Sequence, residues 1–166
     1  MTFYEDLFST LEEHRIRYLV VGGIAVVLHG FIRATADLDL MVALDRDNLN
    51  AFLGIVKQRG YKPKVPVALE DFADPNNRRA WIQEKGMKVF SLYHPGKPRE
   101  LIDIFVDEPI PFEEAYKQRK VMKIFSMSVS VINASHLIEL KRKAGRPQDL
   151  EDIRALEDLR KKRPDE

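Results

Sequence analysis

The sequence of 166 residues contains no cysteine. This absence excludes disulfide bonds, zinc sites built from thiolates and catalysis by a cysteine nucleophile. Long apolar runs are also missing, because no hydrophobic stretch reaches the length that a membrane-spanning helix needs. The first residues, MTFYEDLFSTLEEH, are acidic and periodic, unlike a secretory signal. Together these features predict a cytoplasmic protein with no membrane partner.

A large net charge is lacking too. The 27 Lys and Arg residues against 26 Asp and Glu leave a formal net charge of +1. Surfaces devoted to nucleic acid carry a clear excess of positive charge, so the balance disfavours a large RNA partner, although a local basic groove is compatible with it. The length and the hydrophobic content of 45% predict one domain over residues 1–166 with a real core.

The hydrophobic pattern of the first sixty residues predicts alternating helices and strands. A helix over 3–14 is opened by the capping-box spacing of Thr2 and Glu5. The run YLVV at 18–21 predicts a buried strand that Gly22-Gly23 ends. The elements expected next are a buried helix over 24–30, a strand over 36–44 and a helix from 46 to 59 capped by Asp45.

The second half predicts helical pieces over 67–86, then two hairpins. One hairpin pairs 87–94 with 100–107 around the turn PGKP, and the other spans 120–133 around Ser126. Between them, Pro111 is expected in the first turn of a helix over 112–119. Two helices broken at AGRP form a C-terminal helical extension over 135–162. The irregular alternation predicts an α+β fold, a mixed β-sheet flanked by helices.

Two aspartates stand out in the strand pattern ADLDLMV. Side chains alternate along a strand, so Asp37 and Asp39 are expected on one face, about 7 Å apart at their Cα atoms. Aspartate is depleted from strands, and two like charges on one face repel each other. A divalent cation removes that repulsion, and Mg²⁺ prefers one or two carboxylates together with substrate phosphate oxygens. The pair is therefore a candidate metal site.

The adjacent glycines Gly22 and Gly23 suggest a phosphate site. A strand that ends in glycines and turns into a helix lets backbone N–H groups approach a phosphate closely. Neither a Walker loop nor a GxGxxG motif is present. The alternative is that the glycines form only a tight turn and that the two aspartates lie at a strand end in solvent. The order of both features, with Arg33 and Thr35 between them, favours the functional interpretation.

A third acid, Asp103, lies in the otherwise apolar run LIDIFV. If its strand neighbours that of Asp37, three carboxylates could hold two metal ions ~4 Å apart for in-line phosphoryl chemistry. Asp103 could then also take the proton of the attacking hydroxyl. The alternative is an edge-strand residue that faces water.

Several of these residues form a sequence pattern that resembles the signature of a known family. The pattern Gly22-Gly23 followed by Arg33-Ala-Thr35-Ala-Asp37-Leu-Asp39-Leu resembles the signature of the nucleotidyltransferase, or polymerase β-like, fold. The stretch HLIELKRKAGRPQDLEDI is similar to the small prokaryotic group that includes AbiEii-type toxin nucleotidyltransferases. The two stretches bracket residues 18–153, and the middle of the chain matches loosely.

The resemblance implies a role for each of these positions. Gly22 and Gly23 would hold the triphosphate of an NTP, and Asp37, Asp39 and Asp103 would bind two Mg²⁺ ions and serve as the catalytic acids. The remaining nucleotide-binding positions would be Arg33, Thr35, Lys141, Arg146 and Asp149. Many members of the fold carry Gly-Ser where this chain has Gly-Gly, which removes a hydroxyl that helps to hold a phosphate.

Some residues have simpler explanations. The position of Lys141 near a helix end suits the macrodipole, and Asp152 is explained by the acids that commonly start a helix. Arg78 and Arg79 are expected on a solvated helix face. The order Asp103, Glu139, Lys141 superficially fits a metal nuclease, but that pattern needs Glu and Lys on one strand face, whereas here they lie in a helical context.

The sequence therefore predicts a Mg²⁺-dependent nucleotidyltransferase that moves NMP from an NTP to an acceptor hydroxyl. The acceptor, whether tRNA, another protein or a small molecule, is not identified by the pattern, because one fold serves many functions. The other class left open is a catalytically idle binding module, or one half of a toxin–antitoxin pair with an antitoxin partner.

Overall fold

The computed structural model describes residues 4–163, so Thr2 of the expected capping box lies outside the described residues. The helices are α1 (Glu5–Glu13), α2 (Gly22–Leu28), α3 (Arg46–Gln58), α4 (Pro75–Lys85), α5 (Phe112–Lys117), α6 (Ala134–Ala144) and α7 (Pro147–Lys162), with a 3₁₀ helix at Leu69–Ala73. The strands are β1 (Tyr18–Val21), β2 (Leu38–Val42), β3 (Lys62–Pro63), β4 (Val89–Tyr93), β5 (Leu101–Phe105), β6 (Lys120–Ile124) and β7 (Met127–Val131).

All of these strands belong to one sheet in the order β3-β4-β5-β2-β1-β7-β6. The pairs β2–β5 and β1–β7 are parallel, and the other neighbours are antiparallel. The sheet is therefore mixed and the fold is α+β, as the sequence predicts. The two expected hairpins are the antiparallel pairs β4–β5 and β6–β7.

Several boundaries differ from the sequence predictions. Helix α1 begins at Glu5 rather than at residue 3, after Tyr4 in a left-handed conformation. Helix α2 begins at Gly22 itself, so the glycines open the helix as well as end the strand. Strand β2 begins at Leu38, which leaves Asp37 outside the strand. Pro111 is the N-cap of α5 rather than a residue of its first turn. Periodicity locates an element more securely than its ends.

The centre of the sheet separates an apolar face from a polar one. Leu38 and Leu40 of β2 and Ile102 and Ile104 of β5 are fully buried. The alternate residues of the same strands are less buried and include aspartates. A two-residue period places these aspartates opposite the apolar side chains, so the packed core holds the strands that present the acids.

The helices that carry the other candidate residues pack together beside β1 and β2. Helix α2 contacts β1, β2 and α6, and α6 packs against α7. Gly145, in the left-handed conformation, ends α6, and Pro147 opens α7. Among the described residues, no helix is both long and apolar enough to cross a membrane.

Candidate active site

A row of polar side chains crosses three neighbouring strands. Asp39 of β2 is paired in register with Asp103 of β5, and Asp103 is paired with Ser91 of β4. Residues in register on adjacent strands point to the same face, so Asp39 and Asp103 stand side by side. Ser91 Oγ donates a hydrogen bond of 2.6 Å to Asp103 Oδ1. Asp103 is therefore an interior-strand residue next to Asp39, not an edge residue facing water.

Asp37 lies next to this row. It immediately precedes β2, so it is not one of the paired strand residues, but its charge acts on Asp39. That the two side chains share one face stays a prediction. Within residues 4–163, no group of three or more His, Asp or Glu side chains is arranged to hold a metal ion. Like charges repel one another when no cation lies between them. The three acids are close in the fold, but they do not form a ready-made metal centre.

The surroundings of Asp39 disfavour the charged form of its carboxylate. Burial, followed by the charges of Asp103 and Asp37, raises its pKa from 3.8 to about 7. The charges of Lys141 and Arg146 act in the opposite direction but do not cancel this rise. A half-buried acidic cluster of this kind is electrostatically suited to a divalent cation, which would favour the ionised form.

Gly22 packs directly against the Asp39 carboxylate. Val21 of β1 is paired with Asp39, so the next residue turns over that side chain. Gly22 has a φ of +67°, and a Cβ atom built on it would overlap Asp39 Oδ2. Only glycine combines this left-handed conformation with the close approach. The glycine therefore brings the start of α2 to the acid pair.

Gly23 faces the loop that leads into β2. A Cβ atom at this position would lie 2.5 Å from Thr35 Oγ1 and 2.9 Å from an Arg33 guanidinium nitrogen. The structure thus brings Arg33 and Thr35 to the glycine pair, as the sequence pattern suggests. The Thr35 hydroxyl lies where a side chain on residue 23 would extend, which places a hydroxyl beside Gly-Gly.

Arg33 is held in place by an aspartate of the C-terminal helix. Its Nε and Nη2 atoms donate to the two carboxylate oxygens of Asp152 at 2.8 and 2.9 Å. Lys141 Nζ lies 2.9 Å from Asp152 Oδ2, and Gln148 Nε2 donates to Oδ1 at 3.0 Å. Asp152 is fully buried. The explanation of Asp152 as a helix-start acid is therefore wrong, because its side chain joins the loop to α6 and α7.

Asp149 forms the second half of this buried ion network. Arg146 Nε donates to its carboxylate at 2.7 Å, and Lys141 Nζ donates at 3.2 Å. Burial alone would raise the pKa of Asp149, but the hydrogen bonds from Arg146 and Lys141 outweigh burial and lower it. Burial likewise acts against the charged form of Asp152, and Lys141, Arg33 and Gln148 lower its pKa.

Lys141 is buried and paired with both aspartates, so a helix-end position alone does not account for it. The structure brings Lys141, Arg146 and Asp149 together with Arg33, and the charges of Lys141 and Arg146 act on Asp39. Whether Lys141 meets a nucleotide stays a prediction.

Sequence reasoning missed Ser91 and the linking role of Asp152. A serine opposite an aspartate is visible only once strand register is known, so no local signal identified Ser91. Asp152 carried a signal, since it lies three residues after Asp149 and both fall on one helix face. Arg78 is buried against expectation, and its Nη1 donates to the Phe72 carbonyl at 2.6 Å. Arg78 is therefore structural and not a solvated acceptor contact.

No protein-family model matches the sequence, and no curated protein matches it. Solved structures do. The lincosamide antibiotic adenylyltransferase LnuA, solved with lincomycin bound, is similar with a TM-score of 0.60 at 15% identity, covering 93% of this chain and 94% of that one. ANT(2")-Ia, solved in complex with adenylyl-2"-tobramycin, is similar with a TM-score of 0.56 at 16% identity, covering 90% and 83%.

An antigenic nucleotidyltransferase-like protein from Paracoccidioides brasiliensis is similar with a TM-score of 0.55 at 18% identity, covering 91% of this chain and 72% of that one. These likenesses extend over nearly the whole chain and share one fold. The chain therefore has the nucleotidyltransferase fold.

Proposed function

We propose that this protein is a nucleotidyltransferase that moves NMP from an NTP to an acceptor hydroxyl. The observation that carries the proposal is the adjacency of Asp39 and Asp103 on neighbouring strands, directly under the Gly22 bend, in a nucleotidyltransferase fold. A half-buried pair of acids, of which Asp39 has a raised pKa, next to a glycine bend and guanidinium groups has a composition suited to phosphoryl chemistry.

Asp37, Asp39 and Asp103 are the residues that would hold Mg²⁺. The raised pKa of Asp39 supports this assignment, because a cation would relieve the repulsion that raises it. When bound, Mg²⁺ would supply charge neutralisation for the phosphates and for the leaving pyrophosphate. The chain itself supplies the fixed positions of the Asp39 and Asp103 carboxylates, through the register of β2 and β5.

The phosphates of the NTP would lie over Gly22 and Gly23. The absence of side chains there lets a phosphate approach the backbone closely. Arg33 offers a guanidinium already oriented by Asp152, so little conformational freedom is lost when it meets a phosphate. Thr35 would supply the hydroxyl that Gly23 lacks. Lys141, Arg146 and Asp149 would support this side of the site through the buried ion network.

Asp103 would receive the proton of the acceptor hydroxyl. Its Oδ1 atom accepts the hydrogen bond from Ser91, which fixes the carboxylate. Oδ2 would then be the atom that receives the proton. A general base must lie within hydrogen-bond reach of the proton it removes, and orientation by a neighbour is what makes that distance reproducible. Ser91 is therefore proposed as a positioning residue.

The proposed acceptor is a small molecule. Two of the similar structures contain an antibiotic or its adenylylated product, so a small molecule is favoured over tRNA or a protein. Membership of the AbiEii-type toxin group, a paired antitoxin and a cytoplasmic location stay predictions from the sequence.

The test compares Asp39→Asn and Asp103→Asn with Asp107→Asn, an exposed aspartate just beyond β5. Calorimetric titration with each Mg²⁺–NTP should show binding by the wild type and by Asp107→Asn. Pyrophosphate release in the presence of small-molecule and tRNA fractions should be lost in both site variants. Unchanged release from Asp39→Asn would refute the enzyme assignment.

The second class, a catalytically idle binding module, is favoured by the absence of a ready-made three-acid centre among residues 4–163. It predicts NTP binding without pyrophosphate release, or no binding at millimolar NTP. The nuclease alternative has no support, because Glu139 pairs with Lys143 on the exposed side of α6 while Lys141 is buried.

A further inference from the structure

A cleft of about 520 Å³ opens beside Asp37. It lies between the start of α1, one side of α2, the segment before β5 and the tip of the β6–β7 hairpin. Its volume falls within the range of pockets that take small molecules, roughly 300–1,000 Å³. None of the residues assigned to metal or phosphate, apart from Asp37 and Thr35, lines it.

The lining is mostly apolar. Nine of its thirteen residues are hydrophobic or proline, among them Phe8, Leu28, Ile124 and Met127. Tyr4 presents its ring, because its hydroxyl is engaged by the backbone of Leu101 and of Ala36. A wall of this kind favours an occupant with an apolar body, whose transfer from water is the main source of affinity.

The two charged groups of the lining are of opposite sign. Asp37 and Arg99 are the only ionisable side chains among the lining residues besides the Tyr4 phenol. Single-stranded nucleic acid is normally bound by several cations that follow its phosphates, together with stacking rings. One arginine and one aspartate in the same lining do not provide such a track. The charges therefore favour an uncharged occupant over an RNA end.

Phe125 marks the open side of the cleft. It lies at the turn between β6 and β7 with a φ of +56° and is 74% exposed. A bulky residue in the left-handed region carries backbone strain, and an exposed phenyl ring leaves apolar surface in water. An apolar occupant of the cleft would cover this ring.

The cleft and the phosphate side of the candidate site meet at one place. Thr35 lines the cleft and also approaches Gly23, and Asp37 lines the cleft and acts electrostatically on Asp39. A hydroxyl on a molecule in the cleft would therefore lie at the acid cluster, with its apolar body directed away from the phosphates.

We infer that this cleft is the acceptor site and that it takes a compact, uncharged, largely apolar molecule bearing a hydroxyl group. The inference rests on the proposed function for the reaction itself. The acceptor oxygen would form a bond to the α-phosphorus of the NTP while the bond from that phosphorus to the bridging oxygen breaks. Pyrophosphate leaves with the electron pair, and Asp103 takes the hydroxyl proton.

The binding test uses menthol as the probe, with no NTP or Mg²⁺ present. Titration of the full ¹⁵N-labelled chain should give saturable chemical-shift changes at the amides of Leu28, Leu101 and Phe125. Leu28→Trp, which fills the cleft, should weaken binding at least about tenfold. Leu150→Trp, at a half-exposed leucine of α7 outside the lining, is the matched control and should bind as the wild type does.

Phe125→Ser serves as a second variant, since the exposed ring can be removed without loss of core packing, and it should also weaken menthol binding. In the presence of Mg²⁺ and NTP, menthol should become nucleotidylated. Menthone, which has the same body but a ketone in place of the hydroxyl, should bind and not react.

Absence of saturable shifts at these amides would overturn the inference, and so would an equal loss of binding in Leu150→Trp. Shifts at the same amides with a short oligoribonucleotide but not with menthol would assign the cleft to an RNA end instead. Binding of each Mg²⁺–NTP is measured on the same samples. NTP binding without menthol binding rejects this inference alone, and menthol binding without binding of any NTP rejects the proposed function.

Discussion

The candidate site contains two groups of aspartates whose surroundings differ sharply. Asp149 and Asp152, in the first turns of α7, are fully buried, and the side chains of Arg33, Lys141 and Arg146 contact them. Asp39 is also largely buried, but its nearest charged neighbours include the acids Asp103 and Asp37. Residues of one type therefore meet opposite electrostatic environments in one fold.

The pKa values follow this difference in opposite directions. The pKa of Asp149 and of Asp152 is lowered despite burial, because charged hydrogen bonds favour the ionised form. The pKa of Asp39 is raised to about 7 by burial and like charges. The first group is satisfied within the protein and holds helices and loop together. In the second group, Asp39 lies close to the like charges of Asp103 and Asp37, and a cation would reduce this repulsion, as expected of a functional group.

Asp152→Ala should show the largest effect, because it breaks the satisfied group. The substitution leaves Lys141 buried with one partner fewer and releases Arg33, and breaking a buried pair costs about 3–5 kcal/mol. Urea denaturation should show this loss in the free energy of unfolding. Glu157→Gln is the control: its pair with Arg142 is exposed and should contribute less than about 1 kcal/mol. A similar, small loss in both variants would mean that the buried ion network stabilises the fold no more than an exposed ion pair does.

Gly22→Ala should disturb the acid group from the backbone side. A side chain in the left-handed conformation costs about 1–2 kcal/mol, and the overlap with Asp39 adds to this cost. We expect a loss of about 2–3 kcal/mol in unfolding free energy together with loss of NTP binding. Gly54→Ala, in α3 with nothing within 4 Å of a built Cβ, should instead stabilise by about 0.5–1 kcal/mol. Equal effects at both glycines would contradict the close packing of Gly22 on Asp39.

The sequence predicts most of the strands and helices that hold these aspartates because short-range patterns determine them. The run YLVV gave β1 with its bounds, and the mixed sheet and both hairpins followed from alternation and turn residues. The Gly-Gly and Asp-x-Asp patterns pointed to the candidate site for a physical reason, since glycine and aspartate are both uncommon in ordinary strands. The single domain over residues 1–166 stays a prediction.

What the sequence could not predict depends on contacts between distant positions. Asp152 meets Arg33 across 119 residues, and Ser91 meets Asp103 only because β4 and β5 pair in one register. The spacing of Asp149 and Asp152 indicates a shared helix face, but only tertiary packing determines which partners that face meets. The same holds for Arg78, whose burial depends on the 3₁₀ helix before it. Asp37 was assigned to β2 because alternation does not show where the hydrogen-bonded ladder begins.

The pH dependence of stability offers a third contrast between the groups. Because the folded pKa of Asp39 lies above its unfolded value, the native state keeps a proton that the unfolded chain releases, so stability falls as pH rises from about 4 to about 7. Asp39→Asn removes this penalty. In EDTA the variant should be more stable than the wild type by at least about 2 kcal/mol at pH 8, and equal to it at pH 4. A difference independent of pH would show that Asp39 titrates normally.

Mg²⁺ should reduce the repulsion at Asp39 and so stabilise the folded protein. This is the smallest effect on stability that we expect. A ligand that binds only the folded state at ten times its dissociation constant stabilises by about 1.4 kcal/mol. Thermal unfolding at pH 8 should therefore shift upward with Mg²⁺ in the wild type. It should shift much less in Asp39→Asn, which has already lost the repulsion that the cation relieves. Asp107→Asn should respond as the wild type does. An equal shift in all three proteins would mean that Mg²⁺ acts through general screening, and the strain on Asp39 would then have no connection with metal binding.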